Sequence, residues 1–156
     1  MSIERAREYL KKYGVEDRIR EFDVSSATVE LAAQALGCDG ARIAKSLSFV
    51  VDDGPILVVA AGDAKVDNAK FKAAFHTKAK MPHGEEVEQL IGHGIGGVCP
   101  FGVNENVKVY LDVSMKRFEV MYPACGSSNS AIGLTLEELE RFSQCAGWVD
   151  VCKGWQ

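Results

Sequence analysis

The sequence predicts an α+β fold: a single domain spanning residues 1–156, with a mixed, largely antiparallel sheet surrounded by helices. Two apolar runs of strand length follow each other at 44–51 and 56–61. Helical patterns stand before and after them, but strands and helices do not alternate strictly, as they would in a parallel α/β fold. A chain of 156 residues is long enough to bury a core of its own.

The first third of the chain predicts a helix, a short strand and a second helix. Apolar residues three and four positions apart place the first helix over residues 2–13. Residues 18–22 alternate between polar and apolar and predict a short strand. We expect the second helix to begin after Ser25 or Ser26, either of which can cap it, and to end at Gly37.

The centre of the chain predicts a β-hairpin followed by a helix. The strands 44–51 and 56–61 are separated by the sequence DDGP at 52–55, and Asp-Gly and Gly-Pro are turn dipeptides. Asp67 is a suitable N-cap for a helix that runs to Phe75.

The remaining elements follow from the same patterns. Thr135 and Glu138 have the spacing of a capping box, which predicts a helix beginning at that point. In chain order we expect a helix over 85–91, strands over 107–112 and 118–122, a short strand over 131–134, a helix from 135 to about 142, and an edge strand over 148–151.

Composition narrows the class of protein. The chain is 47% hydrophobic and 26% charged, with a formal net charge of −4, which is ordinary for a globular protein and argues against a general nucleic-acid coat. No apolar run reaches the length of a membrane span, and the first residues are charged, so we expect a cytoplasmic protein. Five cysteines without a C-x-x-C pair indicate neither a zinc knuckle nor a thioredoxin-type site.

Two segments about fifty residues apart carry the functional signal. Segment 41–51 (ARIAKSLSFVV) places Lys45 at the start of an apolar strand, where its ammonium is costly to desolvate. Segment 94–102 (GIGGVCPFG) has four glycines in nine residues, which brings bare backbone N–H groups close to a ligand. Together they predict a pocket for a carbonyl or phosphate group, although a strand-end lysine and a tight turn are the simpler interpretations of each alone.

These segments resemble the YbaK-type aminoacyl-tRNA deacylases, a domain also found as the editing insertion of bacterial prolyl-tRNA synthetases. The shared marks are Lys45 at the head of its strand, the Gly-x-x-x-Pro loop from Gly96 to Pro100, and a glycine-containing turn with a strand and a closing helix over 126–142. The resemblance covers residues 22–151. It implies the fold of that family and a free-standing trans-editing hydrolase that cleaves the ester between a wrong amino acid and tRNA.

The resemblance also implies partners and site residues. It implies no cofactor and no metal, with aminoacyl-tRNA as the substrate, an aminoacyl-tRNA synthetase as a candidate partner, and neither membrane nor DNA. Lys45, Gly96 and Gly97 are assigned to catalysis, through a fixed cation and backbone N–H groups at the ester. The residues assigned to substrate binding are Phe22, Phe49, Val98, Cys99, Pro100, Gly126, Ser127, Ser128 and Asn129.

Several assignments compete with simpler roles. Phe22 and Phe49 are equally suited to the core, and Cys99 is expected to fill space beside the substrate rather than act as a nucleophile. The three histidines have no metal-ligand spacing, so exposed or loop positions are expected for them. A local basic patch is a candidate contact for the tRNA acceptor stem, or simply a solvated face: Lys65, Lys70, Lys72, Lys78 and Lys80.

Two other functions stay open from sequence. The same pocket would suit a non-catalytic module that binds an amino acid, a nucleotide or aminoacyl-tRNA and acts as a regulator or synthetase partner. A weaker alternative is hydrolysis of another small ester or amide. Cys125 and Ala131 stand where several members of the family have a glycine and an acidic residue, so the amino acid that is removed does not follow from the resemblance.

Overall fold

The computed structural model describes residues 2–155. The helices are α1 (Ser2–Lys11), α2 (Val29–Leu36), α3 (Asn68–Phe75), α4 (Gly84–Ile91) and α5 (Leu136–Ser143). The strands are β1 (Arg20–Glu21), β2 (Ile43–Val51), β3 (Gly54–Ala61), β4 (Lys65–Val66), β5 (Lys108–Asp112), β6 (Val120–Pro123), β7 (Ser130–Ala131), β8 (Leu134–Thr135), β9 (Gly147–Val149) and β10 (Cys152–Lys153).

The main sheet has six strands in the order β8-β6-β2-β3-β5-β9, with the predicted β2–β3 hairpin at its centre. The mixed sheet is confirmed: two of its five strand pairings are antiparallel and three are parallel. Two separate two-stranded sheets within residues 2–155, β1–β7 and β4–β10, are antiparallel. β6 pairs with β2 only through Ile43 and Ala44. Further along this edge of β2, the Val50 N–H donates to the Lys80 carbonyl at 2.8 Å, so the segment 78–82, called the strip below, lies beside the strand there. A cleft opens between this contact and the pairing with β6.

The core lies on both faces of the sheet. β3 is buried from Pro55 to Ala61, which explains why it is almost entirely apolar. On one face, helix α3 packs Phe71 against Phe49 of β2, with ring centroids 4.8 Å apart. The same buried cluster includes residues from α1, α4 and α5, and it extends to Cys152 in β10.

Most predicted helix ends and turns are confirmed. The Asp67 side chain accepts a hydrogen bond from the Lys70 N–H and caps α3. The capping box between Thr135 and Glu138 opens α5. Gly37 ends α2 in the left-handed conformation, with φ of 69°. Local side-chain chemistry decided these features, so the sequence was sufficient to predict them.

Three boundaries were predicted incorrectly. Helix α2 is capped by Thr28, whose hydroxyl accepts from the Leu31 N–H, and not by Ser25 or Ser26. The stretch 18–22 contributes only the two residues of β1, because a short 3₁₀ turn precedes it. The single strand expected over 131–134 is two strands: β7 pairs with β1, and β8 pairs with β6. Tertiary pairing, which has no local signature, decided the last case.

Candidate active-site cleft

A cleft of about 490 Å³ opens along the edge of β2. It is bounded by the start of α2, by Met81 and Pro82 of the strip, by α4, by the glycine loop and by β6. Apolar side chains make up much of its lining, among them Val29, Ile43, Leu47, Val87 and Val98. A mostly apolar cleft with a few polar groups is the usual form of a small-molecule site.

Lys45 is the cation of this cleft. It is the third residue of β2 and half-buried, and its ammonium donates to the carbonyl oxygens of Gly62, at 3.4 Å, and Ala64. Burial is the main cause that lowers its pKa, while Cys152 and Asp63 act in the opposite direction. An ammonium has three donors, and these carbonyls take two of them.

The predicted glycine loop forms another wall. Gly96 and Val98 line the cleft, and Gly96 has a left-handed φ of 90°. The Gly97 N–H donates to the Gly94 carbonyl at 3.1 Å, so this amide is already used inside the loop. A Cβ on Gly97 would lie 2.6 Å from the carbonyl carbon of Gly126. Only glycine therefore allows the loop to pack directly against the turn at 124–130.

Residues outside the loop fix its far end. Arg5 of α1 donates from Nε to the Gly102 carbonyl and from Nη2 to Asn104 Oδ1 at 2.7 Å. The Asn104 amide nitrogen in turn donates to the carbonyls of Gln89 at 2.8 Å and Leu90 at 3.0 Å. Sequence reasoning missed both positioning residues, because an arginine on a helix and an asparagine in a turn have the pattern of ordinary surface residues.

Cys99 lies behind the loop and not in the cleft, which corrects its expected place beside the substrate. It is fully buried, and its Sγ is 3.5 Å from His93 Nε2. Burial raises the pKa of Cys99 to about 12, so the thiol stays protonated at neutral pH and is a poor nucleophile.

His93 lies in a loop, as expected, but is fully buried rather than exposed. Its Nε2 is 2.6 Å from the Phe101 carbonyl, to which it donates, and its Nδ1 has no partner among residues 2–155. Burial lowers the pKa of His93, so the imidazole supports the loop in its neutral form.

Three other residues assigned to substrate binding lie away from the cleft lining. Phe49 is 3% exposed and packs in the core against Phe71, so the competing core role is the one that the structure shows. Pro100 is buried within the loop, where its ring cannot contact a ligand directly. Phe22 is half-buried, and its backbone N–H donates to the Asn129 carbonyl at 2.8 Å. Apolar residue type alone does not distinguish a core position from a cleft wall.

The turn at 126–129 supports the cleft rather than lining it. Gly126 lies directly behind Gly97. The Ser127 hydroxyl bonds to Asn129 Oδ1 at 2.9 Å and to Ser130 Oγ at 2.7 Å. The Ser128 carbonyl accepts from the Ser26 N–H at 2.6 Å, which holds the start of α2 in place. The neighbours Ser130 and Ala131 do line the cleft.

Some lining residues were not predicted. Ser46 and Ser48 follow Lys45 in β2, and alternate residues of a strand share a face. The buried Ser46 hydroxyl has no hydrogen-bond partner in the described part of the chain. Strand periodicity places this pair on the face of β2 opposite to Lys45, so it could not have identified them as lining the same cleft. Tyr122 of β6 also lines the cleft, but only the tertiary pairing of β6 with β2 brings it there.

The five lysines assigned to tRNA binding do not form one uniform patch. Lys65, Lys72, Lys78 and Lys80 are exposed. The ammonium of Lys70 is 3.1 Å from Asp150 Oδ1 and 3.0 Å from the Cys152 carbonyl, so its charge is partly neutralised. Met81 and Pro82, which line the cleft, follow Lys80 directly, so Lys78 and Lys80 are the lysines nearest to the cleft along the chain.

Within residues 2–155, no group of three or more His, Cys, Asp or Glu side chains is placed to hold a metal ion. No helix in the same range has both the length and the apolar character needed to cross a bilayer.

The fold agrees with comparisons to known proteins. The profile of the aminoacyl-tRNA editing domain matches residues 23–142, a range that contains Lys45, the glycine loop and the turn behind it. The chain therefore belongs to the aminoacyl-tRNA editing domain family.

Particular relatives cover most or all of the chain. The chain is 52% identical over 157 aligned positions, 100% of both chains, to the uncharacterized protein YwhH of Bacillus subtilis (strain 168). It is 28% identical to EbsC of Enterococcus faecalis, named as a candidate Cys-tRNA(Pro)/Cys-tRNA(Cys) deacylase, over 72% of this chain and 70% of that one. A crystal structure described as a candidate trans-editing enzyme for prolyl tRNA synthetase superposes with a TM-score of 0.88, at 29% identity and 98% coverage of both chains.

Proposed function

We propose that the protein is a free-standing trans-editing hydrolase that deacylates mischarged aminoacyl-tRNA. The observation that carries this proposal is the shared cleft: one half-buried lysine and one glycine loop border the same apolar space. The family supports an editing role, and the names of two relatives refer to deacylation and trans-editing around prolyl-tRNA. Such an activity belongs in the cytoplasm, where its substrate is made.

The cleft suggests how the ester is held. The amino acid occupies the apolar space between β2 and the loop, and the third donor of Lys45 binds a phosphate oxygen or the ester carbonyl. The backbone N–H groups beside Gly96 and Val98 are the other candidate hydrogen-bond donors to the ester carbonyl of the substrate. Gly97 acts as a positioning residue, because its own amide is bound to Gly94.

The chemical step is hydrolysis. Water adds to the ester carbonyl, the bond to the ribose oxygen breaks, and the products are the free amino acid and uncharged tRNA. The described lining residues include no acidic side chain and no histidine to act as a general base. Attack therefore depends on positioning of the water, with a hydroxyl of the tRNA itself as the group available to assist it.

The test is deacylation of a panel of tRNAs, each charged with a labelled amino acid and including mischarged tRNA for proline. The proteins are the wild type, Lys45→Ala and a control, Lys116→Ala, which changes an exposed lysine outside the cleft lining. We expect hydrolysis of some members only, and a loss of about 100-fold or more in Lys45→Ala, as for removal of one oxyanion-binding donor. Circular dichroism checks that each variant is folded.

Two outcomes would contradict the proposal. Wild-type rates in folded Lys45→Ala would remove this lysine from the mechanism. Tight binding of the panel with no hydrolysis of any member would favour the binding-module alternative.

A further inference from the structure

Two large apolar side chains stand exposed at the mouth of the cleft. Met81 is 59% exposed and Ile95 is 72% exposed, and both line the cleft. Val24 and Leu31 are also exposed, at 61% and 39%, but neither lines it. Single exposed apolar residues are common, whereas two at the rim of an apolar cleft extend its surface outward and indicate a contact with a ligand.

The two side chains come from different walls. Ile95 belongs to the glycine loop and rests on the start of α4, where a Cβ on Gly84 would be 2.7 Å from its Cδ1. Met81 belongs to the strip that follows the edge of β2. Gly84 follows Met81 by only three residues, so Ile95 rests against the stretch of chain that directly follows Met81. A bound group at the rim would contact apolar surface that the loop and the strip both contribute.

The charges around the mouth are asymmetric. The strip carries the exposed lysines Lys78 and Lys80 immediately before Met81. The first turn of α4 carries the exposed acids Glu85 and Glu86. A ligand with an apolar face and a negative group would therefore place the negative group toward the strip. A nucleotide has this combination, with a flat base and a phosphodiester.

We propose that Met81 and Ile95 form an apolar platform for the base of the substrate's 3′-terminal nucleotide, with the adjoining phosphodiester toward Lys78 and Lys80. This inference rests on the proposed function. The thioether of methionine makes favourable contacts with aromatic rings, and an apolar surface contacts the face of any base. The platform holds the nucleotide outside the cleft while its aminoacyl ester enters toward Lys45.

The probe is the uncharged trinucleotide cytidylyl-cytidylyl-adenosine, titrated into the full-length protein and followed by NMR or calorimetry. The test variants are Met81→Ser and Ile95→Ser, and the matched controls are Val24→Ser and Leu31→Ser, which remove exposed apolar side chains outside the cleft lining. We expect each test variant to bind about tenfold more weakly and each control to bind as the wild type does. In deacylation, the test variants should raise KM far more than they lower kcat.

Three results would overturn the platform. Trinucleotide affinity could be the same in test and control variants. A trinucleotide that lacks the terminal base could bind the wild type as tightly as the complete one. Sedimentation could show a wild-type dimer that Met81→Ser converts to monomer with trinucleotide affinity unchanged, and the rim would then bind a second copy of the chain.

The platform and the proposed function can fail separately. Trinucleotide binding that depends on Met81 and Ile95, with no deacylation of any charged tRNA, would leave the platform standing and reject the hydrolase. If deacylation depends on Lys45 but trinucleotide binding does not change when Met81 or Ile95 is replaced, the hydrolase would stand and the platform would be rejected.

Discussion

The two walls of the cleft are held in different ways. The glycine loop at 94–102 is fixed at its far end by Arg5 and Asn104, from behind by the buried His93, and by direct contact between Gly97 and Gly126. The strip at 78–82 is joined to β2 through a backbone hydrogen bond to Lys80, and its side chains Lys78, Lys80 and Met81 are exposed.

The two walls are therefore suited to different roles in binding the proposed substrate. A loop that must present backbone N–H groups to an ester needs its geometry fixed by its surroundings, because an amide cannot adjust as a side chain does. A surface that contacts a flexible nucleic-acid end needs long, charged side chains more than a fixed backbone geometry. The loop wall should therefore be sensitive to small changes in shape, and the strip should be sensitive to changes in charge.

Of the changes that compare the two walls, the largest effect is expected at the contact between the loop and the turn. Gly97→Ala places a Cβ 2.6 Å from the Gly126 backbone, so one of the two segments must move. We expect deacylation to fall by about 100-fold, which is the order of loss that misplaced catalytic groups produce. The measurement is the deacylation rate of the folded variant.

Gly94→Ala is the matched control for that change. The nearest atom to its Cβ would be Glu88 Oε1 at 3.8 Å, an ordinary contact, and its φ is not in the left-handed region. Its rate should stay within a few-fold of the wild type. Equal losses in the two variants would mean that the loop tolerates no substitution at all, and the contact with Gly126 would lose its special role.

A smaller effect is expected from reversing the charge of the strip. Lys78→Glu together with Lys80→Glu should weaken tRNA binding about tenfold and reduce the slope of log affinity against log salt by about 0.7 to 0.9 for each phosphate contact that is lost. The turnover of bound substrate should change less. Binding across a salt series measures both quantities.

The control is a second double variant with the same change in net charge outside the strip. Lys108 and Lys116 are exposed lysines outside the proposed patch, and changing both to Glu should leave the slope nearly as it is. If the two double variants lose affinity equally, the effect comes from total charge, and the strip is only a solvated face.

The third effect is a pH dependence of the stability, which comes from His93 behind the glycine loop. Because burial lowers the pKa of His93, the unfolded chain takes up this proton before the folded protein does as the pH falls. The stability that neutral His93 contributes is thus complete above the unfolded pKa, near 6.5, and is lost as the pH falls from there through the folded pKa. The loss is at most about 1.4 kcal/mol per pH unit.

His93→Gln removes this titration, so its free energy of unfolding should fall less than that of the wild type between pH 7 and pH 5. His76→Asn, which changes an exposed histidine, should follow the wild type. Urea unfolding at a series of pH values gives the comparison. Parallel curves for wild type and His93→Gln would show that this buried imidazole does not make the loop sensitive to acid.

The smallest effect is expected at Cys99. Because its thiol is protonated and lies behind the loop, Cys99→Ala should keep deacylation within about threefold of the wild type, with a modest loss of stability from the small cavity. Rate and thermal unfolding are the measurements. A folded Cys99→Ala with no activity, and a thioester trapped in the wild type, would identify a nucleophile instead.

The elements set by local chemistry were predictable from sequence. The Asp-Gly turn, the Asp67 cap and the box at Thr135 each depend on residues that are neighbours in the chain. The partners of β1, β7 and β9 were not predictable, because the partner strands are distant in sequence and the strands are two or three residues long.

The site residues also differ in whether a local motif or a long-range contact places them. Lys45, Gly96 and Val98 were identified by motif, and the structure places all three on the cleft. Phe49 and Cys99 belong to the same motifs but are buried in the core. Phe49 lies four residues after Lys45 and therefore on the same face of β2, so alternation does not distinguish the two side chains; packing of Phe49 against Phe71 of α3 does. Arg5 and Asn104 were missed, because nothing in a single sequence joins residues so far apart.

The way that the cleft is put together has a consequence for the newly made chain. Its lining begins at Ser26 and ends at Ala131, and β6 and β7 supply the last parts. Synthesis from the amino end therefore yields Lys45 and the loop well before Tyr122 and Ser130 exist. A ribosome-bound chain that stops short of these residues has every lysine of the patch but no enclosed site, so binding competence arrives only once β6 and β7 have been made.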